Sequence, residues 1–119
     1  MDAFWTRQWG KELVHTAFLE RVTSRDENSR PVYGLPTAIR CQVEDLSLAR
    51  IFAAQDRGVS LNYEVLVAGN EEIGNDDRLT QAMDRWGNSL FPSAIVVRVV
   101  NYDHPRHGRV SRVAYCQLQ

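Results

Sequence analysis

Short runs in which apolar and polar residues alternate recur along the chain, and clusters of turn-forming residues separate them. Alternation with a period of two places one set of side chains on one face of a strand, so each run predicts a half-buried β-strand. No long segment with helical periodicity lies between the runs, so consecutive strands are expected to pair as antiparallel hairpins. The predicted strands occupy residues 13–24, 37–46, 59–68, 93–102 and 109–118.

These strands predict a mainly β fold, either a small barrel or a sandwich. Of the two we predict the barrel, with five or six antiparallel strands built from hairpins. A chain of 119 residues with no internal repeat and no linker fits a single domain spanning residues 1–119. In the strand at 37–46, Ile39, Cys41 and Val43 are expected to face the core.

Residues 1–12 are predicted to form a short N-terminal helix or an arm. Asp2 is a suitable N-cap, and Trp5 and Trp9 are four residues apart, so they share one face of a helix. Tryptophans bury large apolar surfaces. This pair is therefore expected either to cover the domain's own core or to dock on a neighbouring protein.

The segments between the strands are less regular. Residues 25–36 are rich in Asp, Asn, Ser, Gly and Pro and are predicted to form the turn of a first hairpin. Residues 47–54 are interpreted as a short strand or an irregular connection, and residues 70–88 as a loop with one helical turn at 81–86. Residues 101–108 are the predicted polar tip of a second hairpin, whose first strand is expected to be covered on both faces because it is almost wholly apolar.

The charge balance counts against a dedicated nucleic-acid-binding protein. The formal net charge is −1, whereas proteins that bind through phosphate contacts usually carry a basic excess. Lys11 is the only lysine, so almost all positive charge is on arginine. Arginine is favoured at protein interfaces, but codon usage in a GC-rich genome explains the same bias without any selection.

No motif of a catalytic or metal site is present. His104 and His107 lie in a loop without a third ligand close in sequence, and metal sites need three or four ligands. The motifs of serine and cysteine nucleophiles are missing. We therefore expect no enzyme activity and no cofactor, and we expect His15 to be a structural histidine.

The two cysteines, Cys41 and Cys116, are too few for a disulfide scaffold. Each lies in an apolar run typical of a strand. They are expected to be reduced and buried, and a single bridge between two strands is the alternative.

A turn before the fourth predicted strand contains Asn75, Asp76 and Asp77. An aspartate in a tight turn accepts hydrogen bonds from nearby backbone N–H groups and so fixes the turn. We assign these three residues, and Asp77 above all, to a structural turn rather than to a binding site.

The order of these motifs resembles that of the small head–tail connector proteins of long-tailed bacteriophages, which are called head closure, stopper or minor capsid proteins. The resemblance covers most of the chain and rests on the order and spacing of its motifs. In the first half these are Phe4-Trp5-Thr6-Arg7-Gln8, residues 19–26 entering a hairpin, and Pro31-Val32-Tyr33-Gly34-Leu35-Pro36. In the second half they are the strand at 59–67, the turn at 73–79 and a late hairpin returning through Val113-Ala114-Tyr115.

One departure from the family pattern concerns the turn. Such proteins usually carry a glycine directly before the turn aspartate, whereas here Asn75 and Asp76 precede Asp77. Asparagine tolerates the left-handed backbone that glycine would supply, so the resemblance points to Asn75 in that role.

The resemblance implies a virion protein that assembles as a ring of identical copies beneath the portal and its adaptor. The ring would close the DNA-filled head and dock the tail terminator, while DNA passes through its channel without sequence-specific binding. No membrane contact is expected, and synthesis is expected in the host cytoplasm. The candidate interface residues are Phe4, Trp5, Trp9, Tyr33, Trp86, His104, Arg106 and His107, and the candidates to face the channel or an acidic partner are Arg109 and Arg112.

Two alternatives stay open from the sequence. A tail terminator or tail-completion protein shares ring assembly and small β-rich domains. A small nucleic-acid-binding barrel would use strand aromatics as a stacking platform, for which the candidates are Tyr63, Tyr102 and Tyr115.

Overall fold

The computed structural model describes residues 13–46, 48–58, 60–104 and 108–119, so the helix or arm predicted at 1–12 lies outside the described residues. The described part contains eight strands and one helix. The strands are β1 (His15–Glu20), β2 (Val22–Arg25), β3 (Pro31–Tyr33), β4 (Thr37–Asp45), β5 (Tyr63–Ala68), β6 (Arg78–Met83), β7 (Ser89–His104) and β8 (Gly108–Leu118). The helix α1 (Leu48–Asp56) connects β4 to β5.

Six of the strands form a closed antiparallel barrel in the order β1-β4-β5-β8-β7-β6. This confirms the predicted fold class, a mainly β chain with a small antiparallel barrel. β2 and β3 are not part of the barrel and form a separate two-stranded sheet. Closure pairs each barrel strand on both sides along the barrel wall, which removes the free edges that an open sheet would expose.

Inward-facing residues from all six barrel strands fill the interior. In β4, Ile39, Cys41 and Val43 are buried as predicted. Cys41 and Cys116 are fully buried as predicted, and they are not bonded to each other. The buried cluster consists of Ala17, Leu19, Ile39, Cys41, Val43, Val65, Val67, Ile73, Leu79, Ala82, Phe91, Ala94, Val96, Ala114 and Cys116.

Both predicted hairpins are present, but their tips differ from the prediction. β1 pairs with β4 as expected, yet the connection between them is not a simple turn, because β2 and β3 form their own ladder inside it. The actual turn is fixed by Asp26, whose carboxylate accepts the N–H groups of Asn28 and Arg30 at 2.9 Å. In the second hairpin β7 continues to His104 and β8 starts at Gly108, so the predicted loop at 101–108 is too long.

The connection between β4 and β5 is helical, so the strand or irregular connection predicted at 47–54 is wrong. Three alanines in α1 favour a helix because alanine has the highest helix propensity, and this compensates for the shortness of the segment. The helix is followed by Gly58, which takes a left-handed φ of 77° and donates its N–H to the Gln55 carbonyl at 2.9 Å.

The helical turn predicted at 81–86 is also wrong, because its first residues belong to β6. β6 contains a bulge opposite β1, and Gln81 takes a left-handed φ of 51° there. The extra residue separates the buried Leu79 and Ala82 by three positions, which is a helical spacing. The sequence of β6 therefore does not show the period-two alternation that predicts a strand.

β7 is a strand as predicted, but only its inner face is fully covered. Ala94 and Val96 are completely buried, whereas Arg98 is exposed and Val100 is half-buried. The β7–β8 ladder also runs past the end of β5, whose last pair is Ala68 with Ser111.

The register assigns the connections to two ends of the barrel. One end of the barrel is where β1 and β5 finish and where β4 and β6 begin. This end carries the β2–β3 sheet, the loop at 69–77 and the β7–β8 tip. At the other end lie α1 and the β6–β7 turn.

Candidate functional site

The turn before β6 joins the barrel to the β2–β3 sheet through Asp77. This side chain is 7% exposed, and both of its carboxylate oxygens accept backbone hydrogen bonds. Oδ1 accepts the N–H of Val22 at 2.9 Å, and Oδ2 accepts the N–H of Gly74 at 2.8 Å. The first bond holds β2 and the second closes the turn, as expected of a turn-fixing aspartate.

The left-handed residue of this turn is Asp76, with a φ of 72°, and not Asn75, which is exposed beside it. Aspartate, like asparagine, tolerates this conformation better than most residues. Its side chain forms an ion pair with Arg25 of β2. Its carbonyl accepts the hydroxyl of Tyr33 of β3 at 3.0 Å, so one turn residue contacts both strands of the small sheet.

Arginine side chains complete the attachment of the β2–β3 sheet. Arg78 forms a bidentate ion pair with Glu20, with N–O distances of 2.7 to 3.0 Å, and its guanidinium lies 4.2 Å from the centroid of the Tyr33 ring. Arg21 donates to the carbonyl of Glu72 at 2.6 Å. Tyr33, a predicted interface residue, is thus half-buried and covered by Arg78. Burial also raises the pKa of Tyr33 above its usual 10.0, which keeps its hydroxyl a donor.

The attached sheet carries apolar side chains on its surface. Val32 is exposed on β3, and Leu35, which follows β3, is 90% exposed. A leucine this exposed contributes little to the stability of the folded chain, and it lies in a segment held at both ends. The β2–β3 sheet with residues 34–36 is called the arm below, and it is distinct from the N-terminal arm predicted at 1–12.

The β6–β7 turn presents Trp86, another predicted interface residue, with 72% of its surface exposed. Asp84 fixes this turn by accepting the N–H groups of Trp86 and Asn88, both at 2.9 Å, and these bonds, that of Asn88 first, lower the pKa of its carboxyl. The guanidinium of Arg85 lies 4.4 Å from the indole centroid. Exposed tryptophans on fixed turns are suited to anchor protein interfaces.

The remaining predicted residues belong to the N-terminal segment 1–12 and to the β7–β8 hairpin. Phe4, Trp5, Trp9, Arg106 and His107 lie outside the described residues, as do the side chains of His104 and Arg109. These assignments therefore stay predictions.

Arg112 is half-buried and bonded within the molecule. Its Nε donates to Asn101 Oδ1 at 2.9 Å, and its Nη1 donates to the Glu71 carbonyl at 2.7 Å. It therefore helps to fix the loop after β5, and its predicted contact with a channel or an acidic partner stays a prediction.

A cleft of about 300 Å³ separates α1 from the outer face of β7 and β8. The cleft could not be predicted without a helix at this position. Arg50, Ala53, Ala54 and Arg57 are spaced as one helical face, and this spacing is the signal that was available. The residues lining the cleft are Leu46, Arg50, Ala53, Ala54, Arg57, Leu61, Arg98, Val100 and Tyr115.

Arg50, one of the three arginines that line the cleft, is bonded within the molecule. It forms an ion pair with Glu64 at 2.7 Å, donates to the Tyr115 hydroxyl at 3.0 Å and lies 5.8 Å from the centroid of that ring. The other two arginines, Arg57 and Arg98, are exposed and form no ion pair with the described residues.

Two tyrosines of the nucleic-acid alternative, Tyr63 and Tyr115, lie in different clusters. Tyr63 packs against the barrel core, with its ring 5.2 Å from that of Phe91. Tyr115 packs against a separate outer cluster that contains Leu66 and Val113. His15 is bonded within the barrel, where its Nδ1 accepts the N–H of Val43 at 2.9 Å, as expected of a structural histidine.

Among the described residues, no group of three or more histidine, cysteine, aspartate or glutamate side chains is placed to hold a metal ion. The same residues contain no helix with the length and apolar character needed to cross a membrane. Comparison with known protein families finds no family model that matches the chain, and comparison with curated proteins finds no match.

Proposed function

We propose that the chain is a structural virion protein of the head–tail junction of a long-tailed bacteriophage. Copies assemble into a ring beneath the portal and its adaptor, close the DNA-filled head and offer a docking surface to the tail terminator. The role is one of assembly, without catalysis or a cofactor, and DNA passes the ring without sequence-specific binding.

The observation that carries this proposal is a closed barrel with a fixed arm outside it. Because the barrel wall is fully paired, strand pairing with a neighbour falls to the segments beyond the wall. The arm is held by Asp76, Asp77 and Arg78, so it is pre-positioned and loses little freedom on binding. The strands of the arm pair only with each other among the described residues, and their outer edges suit strand addition by a neighbour.

A ring also needs two different surfaces on each copy, because its interfaces are heterologous. The arm and the β7–β8 tip lie at one end of the barrel, whereas Trp86 and α1 lie at the other. This separation provides two distinct contact regions.

The experiment that tests the proposal removes the coding sequence from the phage genome that carries it. Heads are expected to package DNA but to lose it, and tails to stay unattached, with both defects restored by the wild-type chain supplied in trans. Infectious particles formed at normal yield without the chain would refute the proposal.

Labelling the chain in wild-type particles distinguishes a position on the head side of the junction from a position on the tail side. Label on filled heads that lack tails supports head closure. Label on free tails that lack heads would instead assign the chain to tail termination.

A further inference from the structure

The cleft between α1 and the outer face of β7 and β8 combines an apolar floor with a basic rim. Ala53 and Ala54 are the small α1 residues that line it, and their side chains leave the space open. Leu46, Leu61 and Val100 supply the apolar floor. Such a recess in a surface of a small domain offers room for an apolar side chain from outside.

The rim gives the cleft its charge. Arg57 and Arg98 are exposed, and within the described part of the chain neither forms an ion pair. Only Arg50 is balanced, by Glu64. The cleft therefore carries an excess of positive charge in a chain whose formal net charge is −1.

We propose that this cleft binds a short acidic segment of a partner protein, with one apolar side chain on the floor and carboxylates on Arg57 and Arg98. Guanidinium groups bind carboxylates through paired N–H donors, which gives geometry as well as charge. A cleft of about 300 Å³ is at the small end of ligand sites and accommodates one or two side chains. The proposal does not depend on the head–tail role.

Two observations favour a polypeptide over a nucleic acid as the occupant. The one aromatic ring of the lining, Tyr115, lies under the guanidinium of Arg50 and accepts its hydrogen bond, so it is not an open stacking surface. The near-neutral chain also lacks the overall basic charge that attracts a polyanion over distance.

The test titrates the ¹⁵N-labelled full chain with an acetylated hexapeptide, Asp-Glu-Leu-Phe-Glu-Asp, and follows the amide signals. Shifts are expected at α1 and at the cleft residues of β7 and β8. Arg57→Glu and Arg98→Glu are each expected to weaken the binding by at least about tenfold, because each replaces attraction by repulsion. Arg40→Glu is the matched control, since Arg40 is exposed on β4 and does not line the cleft, and it should leave the binding unchanged.

A further variant tests the apolar floor without a change of charge. Ala53→Leu fills the cleft from an exposed position, so the fold should persist, as checked by its melting curve, while peptide binding is lost. Retained binding in Ala53→Leu would contradict the proposed location.

Two control ligands complete the design. The peptide with Asn and Gln in place of Asp and Glu should not bind, and equal binding would disprove recognition of charge. Single-stranded oligothymidine that binds more tightly than the acidic peptide, and loses binding in the same arginine variants, would overturn the proposal in favour of a nucleic acid. Absence of cleft shifts at millimolar acidic peptide would also overturn it.

Discussion

Adjacent aspartates of one turn perform different tasks in this protein. Asp77 points inward and satisfies two backbone N–H groups, whereas Asp76 takes the left-handed backbone and pairs with Arg25 at the surface. Burial decides how much each contact contributes to the free energy of unfolding. Loss of a buried acceptor leaves an N–H group without a partner, whereas water replaces the partners of a surface ion pair.

We expect Asp77→Ala to lower the free energy of unfolding by about 3 kcal/mol, because it removes two charge-assisted hydrogen bonds at once. Asp76→Asn keeps a residue that tolerates the left-handed backbone and loses only an exposed ion pair, so its cost should stay below about 1 kcal/mol. Urea unfolding of both variants measures the difference. Equal losses would mean that Asp77 is not the main attachment of β2.

The two buried thiols make the free energy of unfolding fall as the pH becomes alkaline. Burial raises the pKa of Cys41 and of Cys116 from the usual 9.0 to about 12. The folded state therefore retains protons that the unfolded chain releases. The contribution of the two thiols to the free energy of unfolding is complete below pH 9 and is lost as pH rises towards 12.

From pH 8 to pH 10 the free energy of unfolding should fall by about 3 kcal/mol through the two thiols together. Cys41→Ala and Cys116→Ala are each expected to remove about half of this decline, whatever their effect on absolute stability. Denaturant unfolding at each pH measures it. A decline of the same size in both variants would assign the pH dependence to other groups.

At the scale of elements, backbone conformation at single positions decides where elements end or bend. Gly58 follows α1 with a left-handed φ, and Gln81 bulges β6 with another. The bulge depends on the register with β1, whereas α1 is favoured by the alanines of its own sequence.

Gly58→Ala should lower the free energy of unfolding by about 1 kcal/mol, through backbone strain alone. A Cβ at this position meets no atom within 4 Å, so no steric clash contributes. Gly74→Ala is the matched control, because its φ is not left-handed and its nearest contact, at 3.9 Å to Asp77 Oδ2, is ordinary. Thermal unfolding of both variants gives the comparison, and an equal loss in the two would contradict the assignment to strain.

In the molecule as a whole, barrel closure leaves strand pairing with a neighbour to the segments outside the wall. The arm and the Trp86 turn are both fixed by hydrogen bonds within the chain, and they lie at opposite ends of the barrel. Rigid projections at opposite ends suit a ring or a stack of rings better than a closed two-fold dimer, whose partners use the same surface.

We expect Leu35→Asp and Trp86→Ala to weaken assembly while they change the free energy of unfolding by less than about 0.5 kcal/mol, because both side chains are largely exposed. Co-sedimentation of the purified chain with portal–adaptor complexes measures assembly, and urea unfolding measures stability. Arg40→Glu, on the barrel wall, serves as the control and should assemble normally. Wild-type co-sedimentation by both variants would exclude these two contact points.

The fold class, the two barrel hairpins and the inward-facing residues of β4 could be predicted from the sequence, because alternation with a period of two is a local property of a strand with one buried face. The sequence also indicated the structural role of Asp77, since an aspartate in a turn bonds local N–H groups. The bulge in β6 and the separate arm are defined only in the folded chain, because contacts with distant strands override a weak or misleading local pattern there. The helix α1 has a local cause, the helix propensity of its alanines, and the shortness of the segment concealed it. The cleft between α1 and the outer face of β7 and β8 also required the folded chain, because Arg57 and Arg98 are far apart in sequence and line the same cleft only there.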